Sequence, residues 1–161
     1  MIIAMISSPA GSQNRGKVLV LGFDSPYFNE IQDRLLRESV MKEFITRGYS
    51  VIPVMEVESL ILEEGINKFR KASQADMKDF CRRLDADIAV NGKVAVAYKT
   101  AVKSKSIDPA IPYACRVTVF IKQKDKLISE NVFTEGNNDL YGFIKALSIE
   151  IAGTAAAMID K

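Results

Sequence analysis

The chain has 161 residues, of which 48% are hydrophobic and 26% charged, a composition typical of one globular domain with a substantial core. Its net charge of +2 is too small to indicate nucleic-acid binding, which needs many clustered cations, so no nucleic-acid partner is expected. The sequence contains no histidine, which excludes catalysis by Ser-His-Asp and Cys-His arrangements, and no metal or cofactor is expected.

Residues 1–16 precede the first predicted strand and allow two interpretations. The apolar run Met1–Ile6 is followed by a small-x-small pattern that fits a secretion-signal cleavage site, although a basic start is missing. The alternative is an ordinary apolar N-terminal arm. The first interpretation predicts a periplasmic or outer-membrane location, and the second, with Met1 as the true start, a cytoplasmic one. Residues 17–161 are expected to form a single α/β domain.

A strand–helix–strand unit is predicted next. The continuous apolar run Lys17–Phe23 is typical of a strand buried on both faces. Ser25 is expected to cap the following helix, with Pro26 at its first position and Gly48 ending it. A strand over Tyr49–Val54 completes a right-handed parallel crossover. The predicted buried face of the helix carries Phe28, Ile31, Leu35, Val40, Phe44 and Ile45.

Two further helices are predicted between this unit and the remaining strands. The first spans Glu56–Glu64 and stops at Gly65. The second begins after Ser73, which forms a capping box with Asp76. Its apolar residues recur at helical spacing, so the cysteine among them should point into the core. They are Met77, Phe80, Cys81 and Leu84.

An antiparallel meander follows. In the stretch 86–100, apolar residues alternate with polar ones as in a half-buried strand, and Gly92 is expected to relieve crowding against a helix. Strands over Tyr113–Lys122 and Leu127–Thr134 form the next hairpin. Arg116, Thr118 and Lys122 should share the polar side of the second strand.

A long final helix closes the chain, capped by Asn138 or Asp139. Its predicted inner face comprises Leu140, Phe143, Ile144, Leu147, Ile151, Ala155 and Met158. Because no continuous apolar run reaches about 18 residues, no membrane-spanning helix is expected. The predicted order, β-α-β-α-α-β-β-β-α, indicates an α/β fold with a mixed sheet, parallel at the start and antiparallel in the C-terminal meander, flanked by helices.

The turn after the first strand is a candidate for chemistry, because open α/β sheets bind ligands at the carboxyl ends of their strands. Asp24 in GFDSPYFNE could be a nucleophile or a magnesium ligand, with Ser25 beside it. No glycine-rich phosphate loop is present, however, and the alternative is that both residues only start the helix. The corresponding function is a small cytoplasmic α/β enzyme that uses a nucleotide or a metal.

Basic residues of the meander and its loops are the candidate partner-binding site. Alternation puts several of them on one polar face, where they could bind an anionic surface. They are Lys93, Lys99, Lys103, Lys105, Arg116 and Lys122. The alternative is a solvated edge whose lysines prevent strand aggregation. Phe120 is the aromatic residue expected on that face, and the long loop 99–112 is the preferred contact with a partner.

Cys81 and Cys115 cannot form a zinc site without other ligands. Either they pair, which requires the helix of Cys81 to abut the strand of Cys115, or they are small buried hydrophobic residues.

The segments between residues 17 and 159 together resemble a known fold group: KVLVLGF, RGYSVIPVMEVESLILEEG, LDADIAVNGKVAVAY, ACRVTVFIKQKDKLISENVF and an alanine-rich closing helix. The group contains the N-terminal domain of the Tol–Pal protein TolB, the outer-membrane lipoproteins that activate penicillin-binding proteins, and the curli-secretion lipoprotein. Its central glycine element resembles Ala86, Asp87, Ile88, Ala89, Val90, Gly92 and Val94 here. Its later hairpin resembles the apolar positions Val117, Val119, Ile121, Leu127 and Ile128.

The resemblance implies a non-enzymatic accessory protein of the cell envelope that acts by contacting other proteins in assembly or secretion. It carries over no catalytic residue. The sequence has no lipobox cysteine near its start, so membrane association would depend on a lipid anchor in a missing N-terminal segment. A pore is not expected, because the hairpin over 113–134 turns within a few residues.

Overall fold

A computed structural model describes residues 14–96, 112–136 and 139–161. The part of the chain so described contains one five-stranded sheet, five helices and a short 3-10 turn at Lys122–Lys124. In chain order the elements are β1 (Lys17–Asp24), α1 (Glu30–Thr46), β2 (Ser50–Val51), α2 (Val54–Glu64), α3 (Ile66–Arg70), α4 (Gln74–Arg83), β3 (Ile88–Val96), β4 (Pro112–Ile121), β5 (Lys126–Glu135) and α5 (Leu140–Ile159). Residues 1–13, the loop 99–112 except for Pro112, and Asn138 lie outside the described residues, so the predictions made for them stay predictions.

The sheet is mixed, as the sequence predicts. Its strand order is β2-β1-β3-β4-β5. β1 pairs in parallel with β2 and with β3, whereas β3, β4 and β5 pair antiparallel. The α/β fold class with a parallel start and an antiparallel meander is therefore confirmed, with α3 as a helix that the sequence analysis did not resolve.

Helices cover both faces of the sheet and divide the core into two layers. α1 and α5 pack on one face, where Val40, Phe44 and Phe143 meet the buried side of the strands. α2, α3 and α4 pack on the other, where Phe69 and Phe80 are fully buried. The predicted apolar faces of α4 and α5 are confirmed, as are the Ser73–Asp76 capping box and the Asp139 cap.

The predicted start and buried face of α1 are wrong in part. The helix begins after Asn29, which forms a capping box with Gln32, while Ser25 Oγ accepts a hydrogen bond from the Tyr27 N–H at 3.1 Å in the preceding turn. Ile31 and Ile45, predicted to be buried, are 70% and 55% exposed. Asp33, Leu36, Arg37 and Met41 instead share the inner stripe with Val40 and Phe44. Apolar spacing could not reveal this face, because two of its residues are charged.

The second strand is shorter than predicted. β2 comprises only Ser50–Val51, because Pro53 is the N-cap of α2 and Val54 already belongs to that helix. Proline lacks the N–H that a continuing parallel strand would donate. Gly48 has the positive φ of 85° expected at the end of α1.

Gly92 relieves crowding, but within the sheet and not against a helix. A Cβ atom at this position would lie 2.9 Å from both Cys115 Sγ and Phe23 Cδ1. The cause is a bulge in β1, in which Val20 pairs with Val90 but Phe23 pairs with Gly92. The extra residue turns the Phe23 side chain towards the layer of α1 and α5, where Val20 also points.

The two cysteines lie in different layers of the core and are both free. Cys81 belongs to the layer of α2–α4, and Cys115 to the layer of α1 and α5. Because the sheet separates them, a disulfide between them is not formed. Burial raises the pKa of each thiol to about 12.

We expect neither thiol to react with a disulfide reagent such as dithionitrobenzoate at about pH 8, because the thiolate is the reacting species. Ser59→Cys, at an exposed position on α2, is the positive control. Absorbance of the released thionitrobenzoate should show one reactive thiol in that variant, none in the wild type and two in the wild type after unfolding in guanidinium. Rapid labelling of the folded wild type would contradict the burial of both groups.

α5 has the length and mean hydropathy, 1.4, of a helix that could cross a membrane. Half of that stretch is buried inside the fold, however, against α1 and the sheet. A core helix meets the same criteria, so α5 is explained by its packing.

Candidate functional site

α4 covers only one end of the second face of the sheet. Ala89 and Phe120 are fully buried beneath it. Beyond them no helix among the described residues covers the same face, and side chains from β3, β4 and β5 lie side by side in three cross-strand rows, in which Asn91 is still buried. The rows are Asn91–Thr118–Ser129, Lys93–Arg116–Asn131 and Ala95–Ala114–Phe133, and we call these nine residues the open face.

The three rows differ in chemistry. In the first, Thr118 Oγ1 and Ser129 Oγ lie 2.9 Å apart, and Asn91 donates to the Ala72 carbonyl oxygen at 3.4 Å. The second presents two exposed cations on neighbouring strands. The third carries Phe133, whose side chain is 61% exposed. The open face therefore combines hydroxyl groups, positive charge and an exposed aromatic ring.

A groove of about 530 Å³ runs between the first two rows and the segment that joins α3 to α4. We call it the basic groove. Among the described residues that line it, the charged ones are Arg70, Lys71, Lys93 and Arg116, with Asp24 as the one carboxylate. Its polar residues are Ser73, Gln74, Asn91, Thr118 and Ser129.

Three of these cations have no acidic partner in the part of the chain that the structure describes. Lys71, Lys93 and Arg116 form no ion pair with any other described residue. Most other basic side chains of the described chain do pair, as Arg83 does with Glu63 and Glu64. The groove is thus a place where positive charge is left uncompensated, and such a place attracts anions.

Arg70 is held differently, by a buried carboxylate. Its Nε donates to Asp33 Oδ2 at 3.1 Å, and Asp33 Oδ1 accepts the Phe23 N–H at 2.8 Å. Arg70 Nη2 is buried and, among the described residues, has no hydrogen-bond partner. Gly22 permits this arrangement, because a Cβ atom there would lie 2.6 Å from Arg70 Cγ.

Burial raises the pKa of Asp33, outweighing the opposite effects of the Phe23 N–H and of Arg70. Its side chain is only 2% exposed. Asp33 is therefore a support that fixes Arg70 at the groove and is not itself open to a ligand.

The structure brings together two of the six sequence-predicted site residues. Lys93 and Arg116 are direct cross-strand partners. Lys122 lies at the far end of β4, about 20 Å along the strand from Arg116, with Asp85 at 4.0 Å. Lys99, Lys103 and Lys105 fall in the loop that is not among the described residues.

Sequence reasoning missed Arg70, Lys71 and Phe133. Arg70 is the last residue of α3 and Lys71 is its C-cap. This five-residue helix is too short to show a periodic pattern, so the sequence did not reveal it. Phe133 alternates correctly with Asn131 and Ser129, which could have indicated its face once the register with β4 was known. Phe120, the aromatic residue expected to be available, is instead covered by α4.

The end of β1 contributes one residue to the basic groove, and the turn after it contributes none among the described lining residues. Asp24 is the parallel-strand partner of Lys93 and lines the groove, while Ser25 is engaged in the local turn. Within residues 14–96, 112–136 and 139–161, no cluster of three or more His, Cys, Asp or Glu side chains is placed to hold a metal ion.

No protein-family model matches the sequence, and no curated protein matches it either. Solved structures do match the fold. Lipoprotein GNA1162 from Neisseria meningitidis superposes with a TM-score of 0.55 at 13% identity, over 83% of this chain and 93% of that one. A PelC dodecamer from Paraburkholderia phytofirmans gives 0.53 at 12% identity, over 92% and 94%.

The LpoB C-terminal domain from Salmonella enterica gives a TM-score of 0.54 at 10% identity, over 76% of this chain and 84% of that one. At such identities the likeness concerns the fold. The chain accordingly has the fold of the group that contains the N-terminal domain of TolB and these proteins, as the segments between residues 17 and 159 predicted.

Proposed function

We propose that the protein is a non-enzymatic accessory domain of the cell envelope that binds a partner protein through its open face. One observation carries the proposal: Lys93 and Arg116, which form no ion pair with any described residue, lie in the row next to the exposed ring of Phe133. Arginine and aromatic residues are the side chains that most often dominate binding energy at protein interfaces. The partner surface should be acidic with a small apolar pocket.

Two further observations support this proposal. The solved structures that share the fold include one described as a lipoprotein, which favours a periplasmic or outer-membrane location. The segment between Val96 and Pro112 leaves and re-enters the sheet beside the row of Phe133. Lys99, Lys103 and Lys105, in the sequence between these two residues, stay candidate contacts for the same partner.

Charge reversal at both cations, Lys93→Glu with Arg116→Glu, is expected to weaken partner binding at least about tenfold, because like charges then face each other across the interface. Both residues are exposed, so the melting temperature should remain near that of the wild type. Affinity purification from solubilised envelope membranes, with each co-purifying protein quantified, measures the effect.

Lys145→Glu is the matched control, because Lys145 is exposed on α5, against the opposite face of the sheet. The informative partner is a protein retained by the wild type and by this control but lost from the double variant. Phe133→Ala should lose the same protein. If the wild type, the double variant, Lys145→Glu and Phe133→Ala all retained the same co-purifying proteins in equal amounts, the open face would not be the binding surface.

A further inference from the structure

We propose that the basic groove is a binding site for a phosphate ester that also carries a hydroxyl group, such as a glycerol phosphate or a sugar phosphate. This inference goes beyond the proposed protein partner, because it depends on Arg70, Lys71 and Asp24, which lie outside the open face. A groove of about 530 Å³ is large enough for such a ligand, since small-molecule sites usually measure about 300–1,000 Å³.

Arg70 provides a positive charge that is already in place. Its Nε donates to Asp33, and its Cγ lies 2.6 Å from where a Cβ atom at Gly22 would be, so little side-chain entropy remains to be lost on binding. Its Nη2 atom is itself buried, so Arg70 acts on a ligand in the groove through its charge, which attracts an oxyanion.

Lys71, Lys93 and Arg116 supply the remaining positive charge. All three are exposed and unpaired among the described residues, and they border the same groove from the α3–α4 segment, β3 and β4. Gathering three like charges without acidic partners weakens folding through repulsion. A bound phosphate group would relieve that repulsion, so the ligand should also stabilise the fold.

The floor of the groove offers neutral donors. Thr118 Oγ1 and Ser129 Oγ share one hydrogen bond at 2.9 Å, so whichever hydroxyl donates, the hydrogen of the other remains available. Gln74 at the start of α4 also lines the groove, whereas the Ser73 hydroxyl beside it already donates to Asp76 Oδ2 at 2.8 Å.

Asp24 narrows the ligand class. A carboxylate at the edge of a cationic groove opposes a bare anion but accepts a hydrogen bond from a hydroxyl group. Asp24 is the cross-strand neighbour of Lys93, so the hydroxyl and the phosphate would lie on adjacent positions of the ligand. Phosphate esters of polyols have this arrangement, whether they are soluble or form the head group of a lipid.

The test uses the full chain and two probes: glycerol 3-phosphate in solution, followed by isothermal titration calorimetry, and phosphatidylcholine vesicles with or without phosphatidylglycerol, followed by co-sedimentation. Binding of either probe supports the site, and the one that binds identifies the soluble or the lipid source. Lys71→Gln should weaken binding about tenfold, Lys71→Arg should restore it, and Lys145→Gln should have no effect.

The proposal is overturned if neither probe binds, or if Lys145→Gln weakens binding as much as Lys71→Gln, since only net charge would then matter. Its failure is separable from that of the partner proposal. Phe133→Ala should impair partner capture while leaving the affinity for the probes unchanged. Lys71→Gln should lower the affinity for the probes while leaving partner capture unchanged. Asp24→Asn should reduce the preference for glycerol 3-phosphate over inorganic phosphate.

Discussion

Replacing Asp33 with alanine is expected to lower the free energy of unfolding by about 3–5 kcal/mol, the usual cost of removing one partner of a buried ion pair. Two groups lose their acceptor at once. The Phe23 N–H loses a hydrogen bond of 2.8 Å, and the Arg70 guanidinium loses its only ion pair among the described residues. Urea denaturation followed by circular dichroism measures the difference.

Glu38→Ala is the matched control for this experiment. Glu38 lies on the same helix and pairs with Arg34 at 2.9 Å on the surface, so its removal should cost no more than about 1 kcal/mol. The double variant Asp33→Leu with Arg70→Met should recover much of the lost stability, because apolar residues often replace a buried ion pair without penalty. If Asp33→Ala lowered the free energy of unfolding by less than about 1 kcal/mol, the Asp33–Arg70 ion pair would not be important for stability.

Replacing Tyr113 with alanine should cost a similar amount, about 3–5 kcal/mol. The side chain is fully buried at the start of β4. Its ring meets those of Tyr27 and Phe143 edge to face, with both centroid distances at 5.3 Å. Each such contact contributes about 0.5–1.5 kcal/mol beyond the buried area, so the loss should exceed that of an isolated core residue.

Tyr141→Ala provides the comparison, because Tyr141 is 69% exposed and its removal should change stability by less than about 0.5 kcal/mol. Both variants are measured by thermal and by urea unfolding. Similar free energies of unfolding for Tyr113→Ala and Tyr141→Ala would contradict a stabilising role of the cluster of Tyr27, Tyr113 and Phe143. Because Tyr113 immediately precedes Ala114 of the open face, Tyr113→Ala should also weaken partner capture, whereas Tyr141→Ala should not.

The basic residues that the sheet contributes to the candidate site could be predicted from the sequence, whereas Arg70, which α3 contributes, could not. That Lys93 and Arg116 share a polar face followed from alternation, because both lie on the polar side of strands that the hydrophobic pattern defines, whereas their direct pairing comes from the register in the structure. The role of Arg70 could not be predicted, because it depends on a bulge in β1, a glycine at position 22 and a carboxylate from α1. These three features are close to one another in sequence, but Arg70 is 37 residues from Asp33 and meets them only when α3 packs against β1.

The same distinction holds for the helices. The N-cap and the apolar stripe of the ten-residue helix α4 were both predicted correctly. α1 buries Asp33 and Arg37, so its inner face is partly charged and apolar spacing pointed to Ile31 and Ile45 instead. Periodicity identifies an inner face only where burial and hydrophobicity coincide.

By itself, the sequence determined the order of strands and helices except for α3, the fold group and the alternation that puts basic residues on one side of the meander, because these properties arise from local hydrophobic period and turn chemistry. Only the tertiary structure decided which of those residues meet. The register between β4 and β5 placed Phe133 beside the cations, and the short reach of α4 left that half of the sheet without a covering helix among the described residues. The register depends on the geometry of the turn between the two strands, and the position of α4 depends on packing between segments far apart in the chain, so alternation and helical period alone do not encode either.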